Sequence, residues 1–140
     1  MDAKVTWKHD LVFSGVASGT NYTIPIATHT EGVPSEGASP MELLLMGTAG
    51  CSALDVISIL QKKRQAVTGL EVNVHAERAS EHPRVFTQID IEYVVTGKEI
   101  DAEAVKRAVD LSLAKYCSAY AMMSKAVPID HTFRVVETQN

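Results

Sequence analysis

Residues 39–60 read SPMELLLMGTAGCSALDVISIL and predict a long helix with a defined start. Ser39 and Glu42 have the spacing of a capping box, in which each side chain bonds the backbone amide of the other residue. Pro40 stands at the first helical position, where proline is favoured. The basic run Lys62-Lys63-Arg64 suits the negative end of a helix dipole, so the helix is predicted to end there.

This helix is apolar on nearly every side, and a helix of that kind must be buried all round. A chain of 140 residues has too little material to cover it, so we expect a second copy of the chain to do so. The run is also long enough to span a bilayer, but Glu42 and Asp55 lie within it, which favours a buried helix. Small residues that would let another backbone approach closely are Gly47, Ala49, Gly50 and Ala53.

On the N-terminal side of the helix, three short runs separated by turns predict an antiparallel meander of three strands. The runs cover residues 4–8, 11–17 and 22–27. Pro25 lies inside the third run. Because proline donates no backbone hydrogen bond, we expect that strand at a sheet edge.

On the C-terminal side, apolar and polar residues alternate again, which predicts two half-buried strands. Asp101 suits the cap of a second helix, which we expect to reach about Tyr116. The order of elements has no repeated βαβ unit, so we predict the α+β class, with a second antiparallel sheet that carries two further helices. The predicted elements are strands over 70–77 and 85–95, helices over 102–116 and 118–126, and a last strand over 129–136. The apolar stripe of the second helix is Ala104, Val105, Ala108, Val109 and Leu113.

Composition excludes several classes of protein. Hydrophobic residues make up 46% and charged residues 21%, as in a globular domain. The formal net charge of −4 excludes a generally basic nucleic-acid-binding protein and leaves only a local basic patch open. No secretion signal opens the sequence, so we expect a cytoplasmic protein. The five histidines show no metal-ligand spacing with the cysteines, so we expect neither a metal nor a cofactor.

Cys51 and Cys117 are the only cysteines, and the residues alone leave two interpretations open, two buried free thiols or a redox pair. Cys117 lies between two predicted helices, where the first amides of the third helix would stabilise a thiolate. Asp55 is one turn after Cys51 on the same face, where its charge would oppose a thiolate. For Asp55 we favour a polar role, bonded to a neighbouring chain or to water.

Glu42 is nine residues before Cys51, about 180° round the helix, so it faces away from the cysteine of its own chain. The capping box is sufficient to explain it. A role in a site that another chain completes is the alternative.

The stretch from Ser39 to Cys51, together with Lys115-Tyr116-Cys117-Ser118, resembles the OsmC/Ohr family, and within it the OsmC-like branch. The family comprises osmotically inducible protein C and the organic hydroperoxide resistance proteins. The resemblance extends over nearly the whole chain and implies a single OsmC-like domain over residues 1–140. It also implies an intertwined homodimer, with the two long helices packed centrally and two sites at the interface.

The resemblance further implies thiol-dependent reduction of organic hydroperoxides in oxidative or osmotic stress defence. Cys51 matches the peroxidatic cysteine and Cys117 the resolving cysteine, with a small dithiol or lipoyl protein as reductant. Organic hydroperoxide resistance proteins also use an N-terminal arginine and a glutamate ten residues before the first cysteine. Here no arginine precedes Arg64, and Met41 takes the glutamate position, so Glu42 is only a candidate.

Three function classes follow from these features. The first is a cysteine-based peroxidase, the second a redox-sensing or ligand-binding dimer without turnover, and the third a scaffold whose cysteines only pack. Retention of both cysteines favours the first, whereas the missing arginine favours the second. Lys4, Lys8 or Lys125 are the candidates to replace the arginine, and the sequence does not select among them.

Overall fold

The computed structural model describes residues 1–139, which form two compact units divided between Leu44 and Leu45. The first unit contains the predicted meander, with β1 at Ala3–His9, β2 at Val12–Ala17 and β3 at Thr23–Ala27. The three strands are antiparallel in the order β1-β2-β3, which confirms the prediction.

Pro25 lies on an edge strand, as predicted. It pairs with Ser14 of β2 on one side, and its carbonyl accepts a hydrogen bond from the Ala38 amide on the other. In a strand the N–H and C=O of one residue point to the same side, so the N–H that proline lacks would face this outer edge. The central ladder of the meander therefore loses nothing to the proline.

The long helix, α1, spans Pro40–Lys62 and begins with the predicted capping box. The Ser39 amide donates to Glu42 Oε1 at 2.9 Å, and the Glu42 amide donates to Ser39 Oγ at 3.2 Å. Two of the amide donors at the helix start are thereby satisfied by side chains.

One chain buries only one stripe of α1, formed by Thr48, Ala49, Ser52, Val56 and Leu60. On another face the Leu54 side chain stays 71% exposed. The single chain therefore leaves part of α1 unburied, as expected. By length and composition alone, α1 could also cross a bilayer.

The second unit contains a sheet of three strands, β4 at Ala66–Arg78, β5 at Phe86–Lys98 and β6 at Ile129–Glu137. β4 and β5 pair antiparallel, but β5 and β6 pair parallel. The prediction of an antiparallel second sheet was therefore wrong for its last strand. A parallel neighbour needs a long crossover, and the helices between β5 and β6 supply it.

The crossover begins with α2, Ala102–Leu111, where the Asp101 side chain accepts from the Glu103 amide at 3.0 Å as a helix cap. The predicted apolar stripe of α2 is buried throughout. The helix does not continue regularly to Tyr116, because residues Ser112–Tyr116 form a π-helical turn, here called the π-turn. A short helix, α3, then spans Ser118–Met123, three residues shorter than predicted.

Candidate functional site

The side chains of the two cysteines lie next to each other within the second unit. Cys51 lies on α1 and is partly exposed, whereas Cys117 precedes α3 and is 2% exposed. Both are free thiols, and their side chains lie within hydrogen-bonding reach of each other. The sequence left open whether the cysteines are separate or paired in space, and the fold brings them together.

The pKa of Cys51 is lowered from its ordinary value, and the main cause is a hydrogen bond from the Ala119 amide in the first turn of α3. The Cys117 and Ser118 side chains bond the same sulfur and lower the pKa further. Partial burial and the Asp55 carboxylate act in the opposite direction. The donors outweigh them, so Cys51 has the more easily formed thiolate.

Burial raises the pKa of Cys117 to about 11, above its ordinary value. The Tyr120 amide does donate to Cys117 Sγ at 3.3 Å and lowers the pKa, but burial and the neighbouring Cys51 outweigh it. The α3 amide thus acts on Cys117 in the direction that the sequence predicted, but the net shift of the Cys117 pKa is upward. An amide of that turn stabilises the other sulfur, because Cys51 faces the start of α3 from α1.

Asp55 bonds within its own chain, which corrects the expectation of a neighbouring chain or water. Ser112 Oγ donates to Asp55 Oδ2 at 2.9 Å. The predicted effect on the thiolate is confirmed in direction, because Asp55 raises the pKa of Cys51.

Glu42 serves as the capping residue of α1, and its side chain also bonds His29 Nε2. The pKa of Glu42 is lowered, mainly by the Ser39 amide. These contacts account for Glu42 within the first unit. The contact with His29 was not predicted, since the two residues are 13 positions apart and no periodicity links them.

Sequence reasoning missed a buried polar group next to the thiols. Ser52 Oγ lies 2.6 Å from Tyr93 Oη and 2.8 Å from Ser112 Oγ, and Ser112 bonds Asp55. Ser52, Ser112 and Tyr93 are fully buried. A serine within an apolar helix is a weak signal of such a network, but its partners are 41 and 60 residues away.

The main interactions around Cys51 do not supply the positive charge that the missing arginine would provide. The main interactions that shift its pKa come from an amide, a thiol, a hydroxyl and a carboxylate, and none of these comes from a lysine or an arginine. Within residues 1–139, no cluster of three His, Cys, Asp or Glu side chains is arranged to hold a metal ion.

A profile of the family described as OsmC-like protein matches residues 32–132, a segment that includes both cysteines and most of the second unit. The chain belongs to the OsmC-like family. Protein YhfA of Escherichia coli strain K12 is 45% identical over 136 residues, which cover 97% of this chain and 98% of YhfA.

Solved structures agree on the fold of this OsmC-like chain. A hypothetical protein from Aquifex aeolicus VF5 is 29% identical with a TM-score of 0.87, covering 99% of this chain and 97% of that one. The organic hydroperoxide resistance protein OhrB of Bacillus subtilis is 16% identical with a TM-score of 0.66, covering 96% and 98%. The resemblance and the α+β class predicted from the sequence are confirmed, and α1 is the central helix of an OsmC fold.

Proposed function

We propose that this OsmC-like chain reduces organic hydroperoxides through Cys51 and Cys117. The observation that carries the proposal is the pairing of two free thiols with opposite pKa shifts, lowered for Cys51 and raised for Cys117. The thiolate is the reactive form of cysteine, so this arrangement supports Cys51 as the attacking thiol and Cys117 as the resolving thiol.

In the first step, the Cys51 thiolate attacks the outer oxygen of a hydroperoxide, ROOH, and breaks the O–O bond. The leaving alkoxide takes a proton and departs as the alcohol ROH, and Cys51 becomes a sulfenic acid. In the second step, Cys117 attacks the Cys51 sulfur, a disulfide forms, and the hydroxide leaves as water with the thiol proton of Cys117. A dithiol or lipoyl-type reductant then restores both thiols.

The coupling between the thiols favours this order of events. The proximity of Cys51 contributes to the raised pKa of Cys117. A neutral sulfenic acid at Cys51 removes that charge repulsion, so Cys117 ionises more readily once the first step is complete. Cys117 is thus expected to become a better nucleophile after the Cys51 sulfenic acid has formed.

The proposal includes one OsmC-like domain over residues 1–140, acting as a homodimer in the cytoplasm. Glu42 stays a candidate for a polar helper, in a site that the second copy completes. The preference for organic peroxides follows from the apolar surface of α1, which suits an alkyl group better than hydrogen peroxide.

The experiment that tests the function is a stoichiometric oxidation. Reduced protein is mixed with one equivalent of an organic hydroperoxide, free thiols are counted, and the products are mapped by peptide mass spectrometry. We expect rapid loss of both thiols and a Cys51–Cys117 disulfide, with slower oxidation by hydrogen peroxide. Oxidation no faster than that of free cysteine would contradict the proposal.

Such a negative result would favour the second candidate, a ligand-binding or redox-sensing dimer without turnover. The observation on that side is the carboxylate of Asp55, which opposes the Cys51 thiolate, while no lysine or arginine is among the main groups that shift the Cys51 pKa. The same protein would then bind a hydrophobic or thiol-bearing ligand without consuming peroxide.

The rate of Cys51 oxidation is expected to rise with pH and to level off above the Cys51 pKa, which is lower than that of an ordinary cysteine. The reason is that only the thiolate attacks peroxide. In Asp55→Asn the opposing charge is gone, so the midpoint is expected to move to lower pH. Stopped-flow oxidation between pH 5 and 10 measures both midpoints, and a midpoint that rises in Asp55→Asn would contradict this account.

The proposed dimer has a candidate surface on α1. An apolar groove of about 600 Å³ lies between the Gly50, Ala53, Leu54 and Ile57 side of α1 and residues 67–70 of β4. Single chains rarely leave such apolar grooves uncovered. β1 is likewise exposed along its whole length, including Val5 and Trp7.

Parent protein is expected to have about twice the 15.2 kDa mass of one chain in light scattering. Leu54→Arg places a charge in the groove and is expected to shift the mass towards one chain at micromolar concentration. Gln61→Arg adds the same charge to α1 outside the groove and serves as the control. A monomeric parent protein would exclude the dimer.

A further inference from the structure

The buried polar group beside the thiols is a continuous line of hydrogen bonds from Tyr93 through Ser52 and Ser112 to Asp55, here called the hydroxyl chain. The distances along it are 2.6, 2.8 and 2.9 Å. None of the three hydroxyl groups is exposed. Buried networks of this kind are costly unless every member is paired, and within residues 1–139 no buried side-chain oxygen or nitrogen lacks a partner.

The direction of the hydroxyl chain follows from counting its protons. Each hydroxyl has one hydrogen to donate, and a carboxylate can only accept. Because Ser112 donates to Asp55, the hydrogen between Ser112 and Ser52 must come from Ser52. The hydrogen between Ser52 and Tyr93 must then come from Tyr93. In every bond of the hydroxyl chain the donor is therefore on the Tyr93 side and the acceptor on the Asp55 side.

Ser112 is the member that connects the two cysteine-bearing segments. Its side chain bonds Ser52 and Asp55, which lie one and four residues after Cys51 on α1. Its backbone carbonyl accepts from the Cys117 amide at 2.8 Å, across the π-turn. One residue is therefore tied to α1 through its side chain and to Cys117 through its backbone.

The π-turn depends on the carbonyl to which the Cys117 amide donates its hydrogen bond. In a regular α-helix the Cys117 amide would bond the carbonyl of Leu113, four residues back, whereas here it bonds Ser112, five residues back. A change of one residue in helical register rotates the following position by about 100°. Such a change would turn Cys117 away from α1 and from Cys51.

We propose that Ser112 is a positioning residue that keeps Cys117 in place for disulfide formation with Cys51. The inference rests on the proposed function for its peroxide step. It concerns the second reaction only, in which the Cys117 sulfur bonds the Cys51 sulfenic acid and water leaves. The first reaction needs Cys51, the Ala119 amide and the peroxide, and Ser112 is not among the main groups that shift the Cys51 pKa.

The test separates the two steps in single-turnover experiments with cumene hydroperoxide, quenched at intervals and analysed by mass. In Ser112→Ala we expect Cys51 oxidation within about twofold of the parent rate and disulfide formation slower by about tenfold or more. Tyr93→Phe is the matched control. It removes a buried hydroxyl from the same chain but leaves the bonds of Ser112 to Asp55 and Cys117, so both steps are expected to keep their rates.

Equal slowing of both steps in Ser112→Ala, or an unchanged disulfide step, would overturn the inference. Slowing of the disulfide step by the same factor in Tyr93→Phe and in Ser112→Ala would also overturn the inference, because general loosening of the core would then explain both. If Ser112→Ala does not fold, Ser52→Ala removes one of the two anchors of Ser112. A smaller drop in the disulfide step is expected there, and no drop overturns the inference.

A second measurement needs no peroxide and distinguishes failure of this inference from failure of the proposed function. The Cys51–Cys117 disulfide is equilibrated with glutathione redox buffers, and the effective concentration of the two thiols is obtained from the midpoint. It is expected to fall about tenfold in Ser112→Ala and to stay unchanged in Tyr93→Phe. If the parent protein forms the disulfide in glutathione buffers but does not react with peroxide, the proposed peroxidase function is contradicted. The effective thiol concentrations of parent and variants still test the positioning role of Ser112. An unchanged midpoint in Ser112→Ala contradicts the positioning role.

Discussion

In Cys51→Ser, consumption of organic hydroperoxide is expected to fall to the rate without protein, a loss on the order of 10⁴-fold. A serine hydroxyl is almost entirely protonated at neutral pH and is a poor nucleophile without a general base. The neighbours that lower the pKa of Cys51 are an amide, a thiol and a hydroxyl, and none of them is a base that would activate serine. Peroxide loss in a coupled dithiol assay measures the effect.

The substitution replaces one sulfur by a smaller oxygen on a partly exposed side chain, so we expect Cys51→Ser to fold. Circular dichroism and the thermal unfolding midpoint of Cys51→Ser provide that check. The buried thiol of Cys117 remains in this variant as an internal comparison, since slow oxidation there shows how a thiol reacts without activation. Turnover by Cys51→Ser at the parent rate would remove Cys51 from the mechanism.

In Cys117→Ser, one equivalent of peroxide is expected to be consumed at the parent rate, after which the reaction stops at the sulfenic acid of Cys51. The largest stabilisation of the Cys51 thiolate comes from the Ala119 amide, which stays in place, and the serine hydroxyl retains a donor where the Cys117 thiol stood. The second step loses its intramolecular thiol, and intermolecular thiols must replace an effective concentration that reaches about 10⁵ M or more in well-oriented cases. Trapping with a dione reagent that forms a sulfenic acid adduct, followed by mass analysis, measures the product.

Excess peroxide provides the contrasting condition. A sulfenic acid without a resolving thiol is oxidised further to sulfinic acid, so Cys117→Ser is expected to be inactivated irreversibly while the parent protein survives. Loss of the first step in Cys117→Ser would contradict the assignment of roles. It would indicate that the Cys117 side chain, which also bonds the Cys51 sulfur, is needed to activate it.

Together the two variants test the division of roles that the pKa shifts suggest. The removal of Cys51 should abolish both steps, and the removal of Cys117 only the second. Ser112→Ala should resemble a mild form of Cys117→Ser, with the thiol present but poorly placed. The three variants thus form a series in which the peroxide step and the disulfide step respond separately.

Much of the fold was predictable from the sequence because its signals are local. The capping box of Ser39 and Glu42 acts over three residues, and the buried stripe of α2 follows from the helical period. The meander is visible in its alternation and turns. Cys51 and Cys117 were also recognised as the candidate pair, since the chain has no other cysteine.

The tertiary structure decided what depends on contacts between distant residues. The parallel pairing of β6 follows from the path of the crossover, which periodicity does not record. Asp55 finds its partner 57 residues away, and the bond that defines the π-turn ends at the cysteine itself. Which thiol has the lower pKa is decided by the α3 amide that faces it and by burial, both products of packing. The sequence by itself therefore determined the elements and the two thiols, and only the packed structure gives the thiols opposite pKa shifts, because desolvation and hydrogen bonds between distant segments exist only after folding.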